Sequence, residues 1–382
     1  MVHTIETNMD YTIVTAWYDV REKENHPLKD DANSSQYFCS MDWYFHSAEQ
    51  LFNKAFPMVI FTEPRFRDKI LEARPKELHS MTRFIFKDYD ELPFYTHFKK
   101  YEQNHENFLI QNVTQEKFTA LYKFIVNQKT HFVKEAIEFD PFQTPKFAWM
   151  DMRLHCVYDM SVEETNRAMA DIPPNQVKIM QMSATDPVHD RHDFYAWTRG
   201  KVAAGFFGGD KEAVHRFCDL CQKEWLEALH AGTAPTDEMI YAYVVSHNPH
   251  MFDVYVGEYS ECLKNQIQIR AGLHLVFPFL QSVFDRGIHQ YTIALSERIR
   301  RGYRAQDIDL NPEQVHKVYY YGYVANFWKQ QRDKCALLLH EYFDLAQTNQ
   351  SIADYIRGCR DFLNQMVAYM DDPVLTDRLM SI

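Results

Sequence analysis

The sequence predicts an α/β domain followed by a helical C-terminal extension, and three observations carry that expectation. Short apolar runs bounded by turn or charged residues recur early: YTIVTAWY at 11–18, MVIFT at 58–62 and KFAWM at 146–150. Amphipathic stretches of helical period separate them, the alternation that builds a sheet flanked by helices. Beyond about Asn265 the β signals stop and only helical periodicity remains. The expected division is therefore 1–265 for the α/β domain and 266–382 for the extension.

The elements follow in order. Tyr11 to Tyr18 is β-branched and aromatic and runs into Asp19 and Arg21, which reads as a first strand with its ligand-facing loop. An amphipathic helix around Met41 to Phe56 leads through Pro57 to the second strand, and strand, helix, strand is the opening of a nucleotide-binding unit. Glu63 to Ala73 and Leu92 to His105 read as helical. Thr114 opens a longer amphipathic helix to about Phe139, its capping box weakened by Lys117 at the position that wants Glu or Gln. Val177 to Met182 and Val202 to Phe207 read as strands, with Gly205, Gly208 and Gly209 breaking the second. Helices over Lys211–His230 and Asp237–Ser246 precede a short strand at Phe252–Val256. Asn311-Pro312 supplies an N-cap and first-turn proline for the helical pattern over 311–347, and Ser351 to Met370 continues it.

Composition narrows the function classes. A net charge of −12 and a pI near 5.8 argue against a nucleic-acid backbone as partner, which needs clustered Lys and Arg. The N-terminus lacks the basic and apolar halves of a signal peptide. The longest apolar run, Ala271 to Phe284, contains Pro278 and falls short of the ~20 residues of a membrane helix, so a cytoplasmic location is expected. Seven scattered cysteines fit reduced thiols, and Cys218 with Cys221 reads as packing within a helix rather than zinc.

KFAWMDMR at 146–153 is the most informative stretch. A strand buried on both faces runs directly into Asp151 and Arg153, and the carboxyl end of such a strand is where α/β sheets bind ligands. An acid there faces a crevice and is placed to touch a metal ion or a diphosphate.

Several segments, taken together and in order, resemble the bacterial WlaTC/HtrL-YibB family of predicted sugar transferases. They are TIVTAWYDVR at 12–21, PMVIFTEP at 57–64, NQKTHFVKEAIEFDPFQTPKFAWMD at 127–151, AAGFFGGDKEAV at 203–214, PTDEMIYAYVVSHNPHMFDVYVGEY at 235–259, and Asn265. That family looks like a divergent branch of the GT-A glycosyltransferases. The resemblance implies a Rossmann-type mixed sheet, a nucleotide-sugar donor, a glycan or other hydroxyl acceptor, a place in polysaccharide biosynthesis and often a divalent cation, Mn2+ or Mg2+. It also implies residue roles: Thr15, Ala16, Trp17, Asp19, Arg21, Lys129, Asp151 and Arg153 toward the donor, Gly208 and Gly209 toward the acceptor, Asp237 and Glu238 in catalysis, and Asp151 with His274 toward the metal. One departure bears on the metal: the usual Asp-x-Asp is here Asp151-Met152-Arg153. Either Asp151 holds a cation with help from elsewhere, or the Arg153 guanidinium substitutes for it at the diphosphate.

Plainer readings stand beside these. Asp237 and Glu238 also suit ordinary first-turn acids behind a Thr236 N-cap, Trp17 a core aromatic, Lys129 a solvated lysine and His274 a satisfied buried histidine. DPVHDRHD, 186–193, gives a second enzyme reading, a metal-dependent hydrolase built on His189, Asp190, His192 and Asp193. A third is a non-catalytic glycan-binding protein on the same fold. Arg298, Arg300, Arg301 and Arg304 form a basic patch suited to a lipid headgroup and hence a peripheral membrane contact, or a solvated face. VYYYGYVANFW, 318–328, suits a core or an oligomer contact.

Overall fold

The computed structural model describes residues 10–20, 41–108, 110, 119–154, 161–183, 188–197, 202–257 and 273–382. The chain forms two compact units, Met1–Ile267 and Gln268–Ile382. Arg21, Thr114, Asp186, Asn265 and the side chain of His274 lie outside the described residues.

The first unit is a mixed α/β structure around a seven-stranded sheet in the order β3-β2-β1-β4-β6-β5-β7. Its strands are β1 (Tyr11–Trp17), β2 (Met58–Thr62), β3 (Thr82–Phe86), β4 (Lys146–Met150), β5 (Val177–Gln181), β6 (Val202–Asp210) and β7 (Phe252–Val256). Only β6 runs antiparallel, pairing with β4 on one side and β5 on the other; the remaining ladders are parallel. The carboxyl ends of β1, β2, β4, β5 and β7 therefore share one edge of the sheet.

Strand alternation sorts the side chains into two layers. Ile13 and Trp17 of β1, Met58 and Ile60 of β2, and Ala148 and Met150 of β4 pack with α1 (Met41–Phe52), α2 (Arg67–Ala73) and α6 (Val162–Ala170) through Phe45, Leu51, Phe52, Ile70 and Met169. The opposite face is covered by α5 (Lys129–Phe139), α8 (Lys211–His230) and α9 (Asp237–His247), with α3 (Phe98–Asn107) and α4 (Ala120–Asn127) behind them. There Phe132 of α5 stacks on Tyr18 at 5.8 Å, Phe61 at 4.6 Å and Trp149 at 6.3 Å. This second layer carries the site. In the first, Arg74 is fully buried and donates to the carbonyls of Phe52, Lys54 and Phe56 and to Thr82 Oγ1, tying the end of α1 to the start of β3.

Strand β7 and helix α8 span the residues their patterns predict, and β4 ends directly before Asp151. Three expectations are corrected. The helix expected to reach Phe139 is two helices, because the chain turns at Gln128 between α4 and α5. Strand β3 was not expected; it is an edge strand whose TRFIF residues are mostly half-exposed, so apolar alternation is weak. The glycines do not break β6, which runs unbroken through all nine residues.

The second unit is helical: α10 (Leu273–Asp285), α11 (His289–Arg304), α12 (Pro312–Trp328), α13 (Arg332–Thr348), α14 (Gln350–Gly358), α15 (Arg360–Met370) and α16 (Pro373–Ser381). Asn311 caps α12 in a full capping box with Gln314. The aromatic run supplies this unit's core through Tyr319, Tyr323 and Val324, packed on Leu339, Tyr342 and Phe343. The basic patch is neutralised within the unit: Arg300, itself buried, pairs with Glu297 and Glu341, Arg301 with Glu297 and Arg304 with Glu341. That pairing accounts for three of the four arginines without a lipid headgroup. Among the described residues no helix is long and apolar enough to cross a membrane.

Candidate active site

Asp151 follows β4 at the carboxyl edge of the sheet, its N–H bonded to the Gly205 carbonyl of β6 at 2.8 Å. Trp149 and Asp151 are two residues apart and point to the same face, so the indole Nε1 donates to Asp151 Oδ1 at 2.7 Å. The same oxygen meets Lys129 Nζ at 2.8 Å. The ammonium lies equally 2.8 Å from Asp237 Oδ2, donates to the Ala204 carbonyl at 3.2 Å and sits 5.6 Å from the centre of the Trp149 ring. Lys129 therefore bridges two carboxylates from distant parts of the chain, and the solvated-lysine reading is corrected.

This placement runs against local preference. Lys129 is the first residue of α5, where the helix dipole disfavours a cation. Burial alone would lower its pKa, yet the Asp151 and Asp237 carboxylates outweigh burial and hold it well above the usual lysine range. Asp237, first residue of α9, is raised by burial; Lys129 pulls it back, and the like charge of Asp151 raises it further. Thr236 occupies the N-cap but makes no side-chain capping bond. Asp237 is thus no ordinary first-turn acid. Exposure divides the roles: the Asp151 side chain is 30% exposed and can meet a ligand, whereas Asp237 at 6% cannot do so readily. Glu238 is half-buried.

A group of polar side chains fixes the segment before Asp237. Asn104 donates to the Thr233 carbonyl at 3.0 Å, Lys123 to that of Ala234 at 3.5 Å, and Tyr101 and Asn127 to that of Pro235 at 2.7 and 3.0 Å. Three successive carbonyls are held by α3 and α4. Neither Trp149 nor this group was predicted. The Trp149-x-Asp151 spacing on a strand was a usable signal; the carbonyl clamps leave none, because their partners lie more than a hundred residues away.

The other expected donor residues are dispersed. Thr15 is wholly buried in β1 on the face opposite Trp149. Trp17 is a core aromatic, its ring 5.2 Å from those of Tyr44 and Phe45 and 6.2 Å from Phe66, which corrects its donor assignment. Ala16 is half-buried and Asp19 buried just past β1. Arg153 lies over the Tyr44 ring at 4.9 Å.

Gly208 and Gly209 are corrected as acceptor residues. They pair with Ala148 and Phe147 at the start of β4, away from Asp151 at its end. A Cβ on Gly208 would lie 2.8 Å from that of Ala148, and one on Gly209 2.4 Å from the Gln176 carbonyl. Their hydrogens permit close strand packing. Gly209→Ala is expected to lose about 1–3 kcal/mol in urea unfolding, since the opposing atom is backbone and cannot swing away. Gly205 is the glycine beside the site, where a Cβ would approach Asp151 Oδ2 to 3.5 Å.

The hydrolase cluster does not converge. Asp190 caps the short helix α7 (Arg191–Tyr195), His192 bonds the Ala231 carbonyl, and His189 meets His247 at 3.3 Å. Among the described residues no three His, Cys, Asp or Glu side chains are grouped to hold a metal. Cys218 and Cys221 are buried free thiols. A divalent cation at Asp151 wants several oxygen ligands. Here Lys129 fills the space between the two carboxylates, so the described residues do not fit one.

The fold and site define a mixed α/β protein with a paired-carboxylate centre at the carboxyl edge of its sheet. The chain belongs to the HtrL_YibB family, described as a bacterial protein of unknown function, which matches residues 9–265. No curated protein sequence matches it. Among solved structures it is similar to mouse xyloside xylosyltransferase 1 in its apo form, at 12% identity and a TM-score of 0.33, covering 64% of this chain and 84% of that one. It is also similar to 4-diphosphocytidyl-2C-methyl-D-erythritol synthase from Anaerococcus prevotii, at 10% identity and a TM-score of 0.32, covering 65% and 88%. At such scores neither likeness bears on mechanism.

Proposed function

We propose that the protein is a GT-A-like glycosyltransferase, moving a sugar from a nucleotide-diphosphate donor to a glycan or other hydroxyl acceptor in cytoplasmic polysaccharide biosynthesis. One observation carries the reading: Lys129 locks Asp151 and Asp237 together at the carboxyl edge of β4, where α/β sheets bind ligands. The Lys129 ammonium, buried between the two, fixes the Asp151 carboxylate through Oδ1.

In this reading Asp151 offers Oδ2 to donor hydroxyls, its Oδ1 being held by Lys129 and Trp149. The acceptor oxygen bonds to the anomeric carbon while the carbon–oxygen bond to the diphosphate breaks, and the electron pair leaves on the diphosphate. Arg153 offsets that growing negative charge. The acceptor proton passes to Glu238, while Asp237, locked on Lys129, is a positioning residue.

The internal neutralisation of Asp237 also favours a second reading, a protein that binds a nucleotide sugar or glycan without turnover. A panel of nucleotide sugars, with and without manganese, separates them. One donor at a hundredfold its Kd is expected to raise Tm by about 5 °C or more, with Asp151→Asn abolishing the rise. Release of nucleoside diphosphate in an acceptor screen supports transfer, and binding without release supports the second reading. No shift from any nucleotide sugar sinks transfer and nucleotide-sugar binding alike, and an unchanged shift in Asp151→Asn removes the central role given to Asp151.

A further inference from the structure

A chamber lies behind the paired carboxylates, where the α4–α5 junction meets α8 and α9. Four of its lining side chains carry buried polar atoms with no hydrogen-bond partner among the described residues: Gln128 Oε1, Gln222 Nε2, Trp225 Nε1 and the Tyr241 hydroxyl. Gln128 and Tyr241 are each 1% exposed and Trp225 4%. Leaving such groups unmet is costly, so their gathering around one space calls for a partner. The Gln128 amide is not simply reversed, because its Nε2 donates to the Phe124 carbonyl at 3.3 Å and leaves Oε1 facing away from that bond.

We infer that this chamber binds an uncharged, water-sized ligand: a structural water molecule held by Gln128, Gln222, Trp225 and Tyr241. The charge of the ligand follows from the walls. Among the described residues no Asp, Glu, Lys or Arg lines the space. His131, its one imidazole, is lowered to about 4 by burial and by Lys134 and Lys87, so it is neutral at pH 7. An ion has no counter-charge there.

The hydrogen-bonding inventory matches water. Trp225 and Gln222 donate, Gln128 accepts, and the Tyr241 hydroxyl does either, so one water accepts two bonds and donates two. The space is that of a single water at most, and it offers the two to four polar partners that a buried water requires. Phe94 forms part of the wall in the left-handed region, φ 65°, stacked on Trp225 at 5.2 Å and edge-on to His131 at 4.5 Å. A bulky residue adopts that conformation only when its surroundings hold it there.

The position gives the water a job. Gln128 directly precedes Lys129, and Tyr241 lies one turn after Asp237. The water joins the helix starts that carry both ends of that ion pair, whatever reaction the site performs.

A crystal structure at about 1.5 Å is the direct test, with solvent water as the probe. Density for one ordered water within about 3.2 Å of Gln128 Oε1, Trp225 Nε1 and the Tyr241 hydroxyl is expected. A chamber without density, or Gln128 and Tyr241 turned to bond each other, overturns the inference. In solution, Gln128→Leu and Tyr241→Phe are compared singly and together. A shared water makes the double variant's loss in Tm smaller than the sum of the single losses; strictly additive losses count against it.

Discussion

Lys129→Met is expected to destabilise the protein by about 3–5 kcal/mol, the loss typical when one partner of a buried ion pair is removed. The methionine fills nearly the same volume, so the loss reports charge. Asp237 is left 5% exposed beside Asp151 with only its helix N-terminus for support. The pH dependence has a definite sign. Asp237 already has a raised pKa, and without the ammonium it rises further, so the folded variant holds a proton that the unfolded chain has released. The variant's stability therefore falls as pH rises from the ordinary carboxylate range through the folded value of Asp237, and its deficit at pH 5 is smaller than at pH 8. In the wild type, stabilisation by Lys129 is complete below the ordinary lysine value of 10.5 and is lost as pH rises through its higher folded value. Adding Asp237→Asn to Lys129→Met is expected to recover part of the loss, because the carboxylate without a counter-ion is then gone. Urea unfolding of the three variants at both pH values decides it. A loss under 1 kcal/mol in Lys129→Met, flat with pH, means the bridge does not hold the site together.

The bridge also marks how far the sequence could be read. Asp151 was legible because a both-faces-buried strand such as KFAWM ends in an acid only where the chain leaves the core. Strand β7 and helix α8 were legible for similar reasons, each a dense local pattern with clear stops. The bridging role of Lys129 was not. Inside the single helix expected to about Phe139 it reads as donor-facing or solvated, and only the sheet order, with β6 laid antiparallel beside β4, brings α5 and α9 over the end of β4. The same non-locality misled the reading of β6: glycines that break an isolated strand here allow β4 and β5 to approach on both sides. In DPVHDRHD the side chains near in sequence are spent on a helix cap, a carbonyl and a neighbouring histidine, so proximity along the chain did not become a shared centre.

Lys123 tests the same physics with the opposite outcome. Six residues before Lys129, it is only 2% exposed, but its Nζ faces the His105 Nδ1 at 3.1 Å and the Ala234 carbonyl at 3.5 Å in place of a carboxylate. Burial accordingly lowers it to about 8, and burial together with Lys123 holds His105 at about 4. With the folded pKa below the unfolded one, the unfolded chain binds more protons between about pH 8 and 10.5, so stability rises with pH across that window. Below pH 8 the full cost of burying the ammonium remains. Lys123→Met removes it and is expected to raise stability at pH 7 by on the order of 1–3 kcal/mol, less whatever the Ala234 carbonyl loses as its donor disappears. The gain should shrink toward pH 10 as the wild-type lysine sheds its proton. Two buried lysines of α4 and α5, replaced by the same residue, are thus predicted to move the urea midpoint in opposite directions, the sign set by whether a carboxylate faces the ammonium. Destabilisation by Lys123→Met at pH 7 comparable to that of Lys129→Met would mean that the grip on the 233–235 carbonyls outweighs the burial of charge, and that Lys123 is held for the geometry it imposes on Asp237.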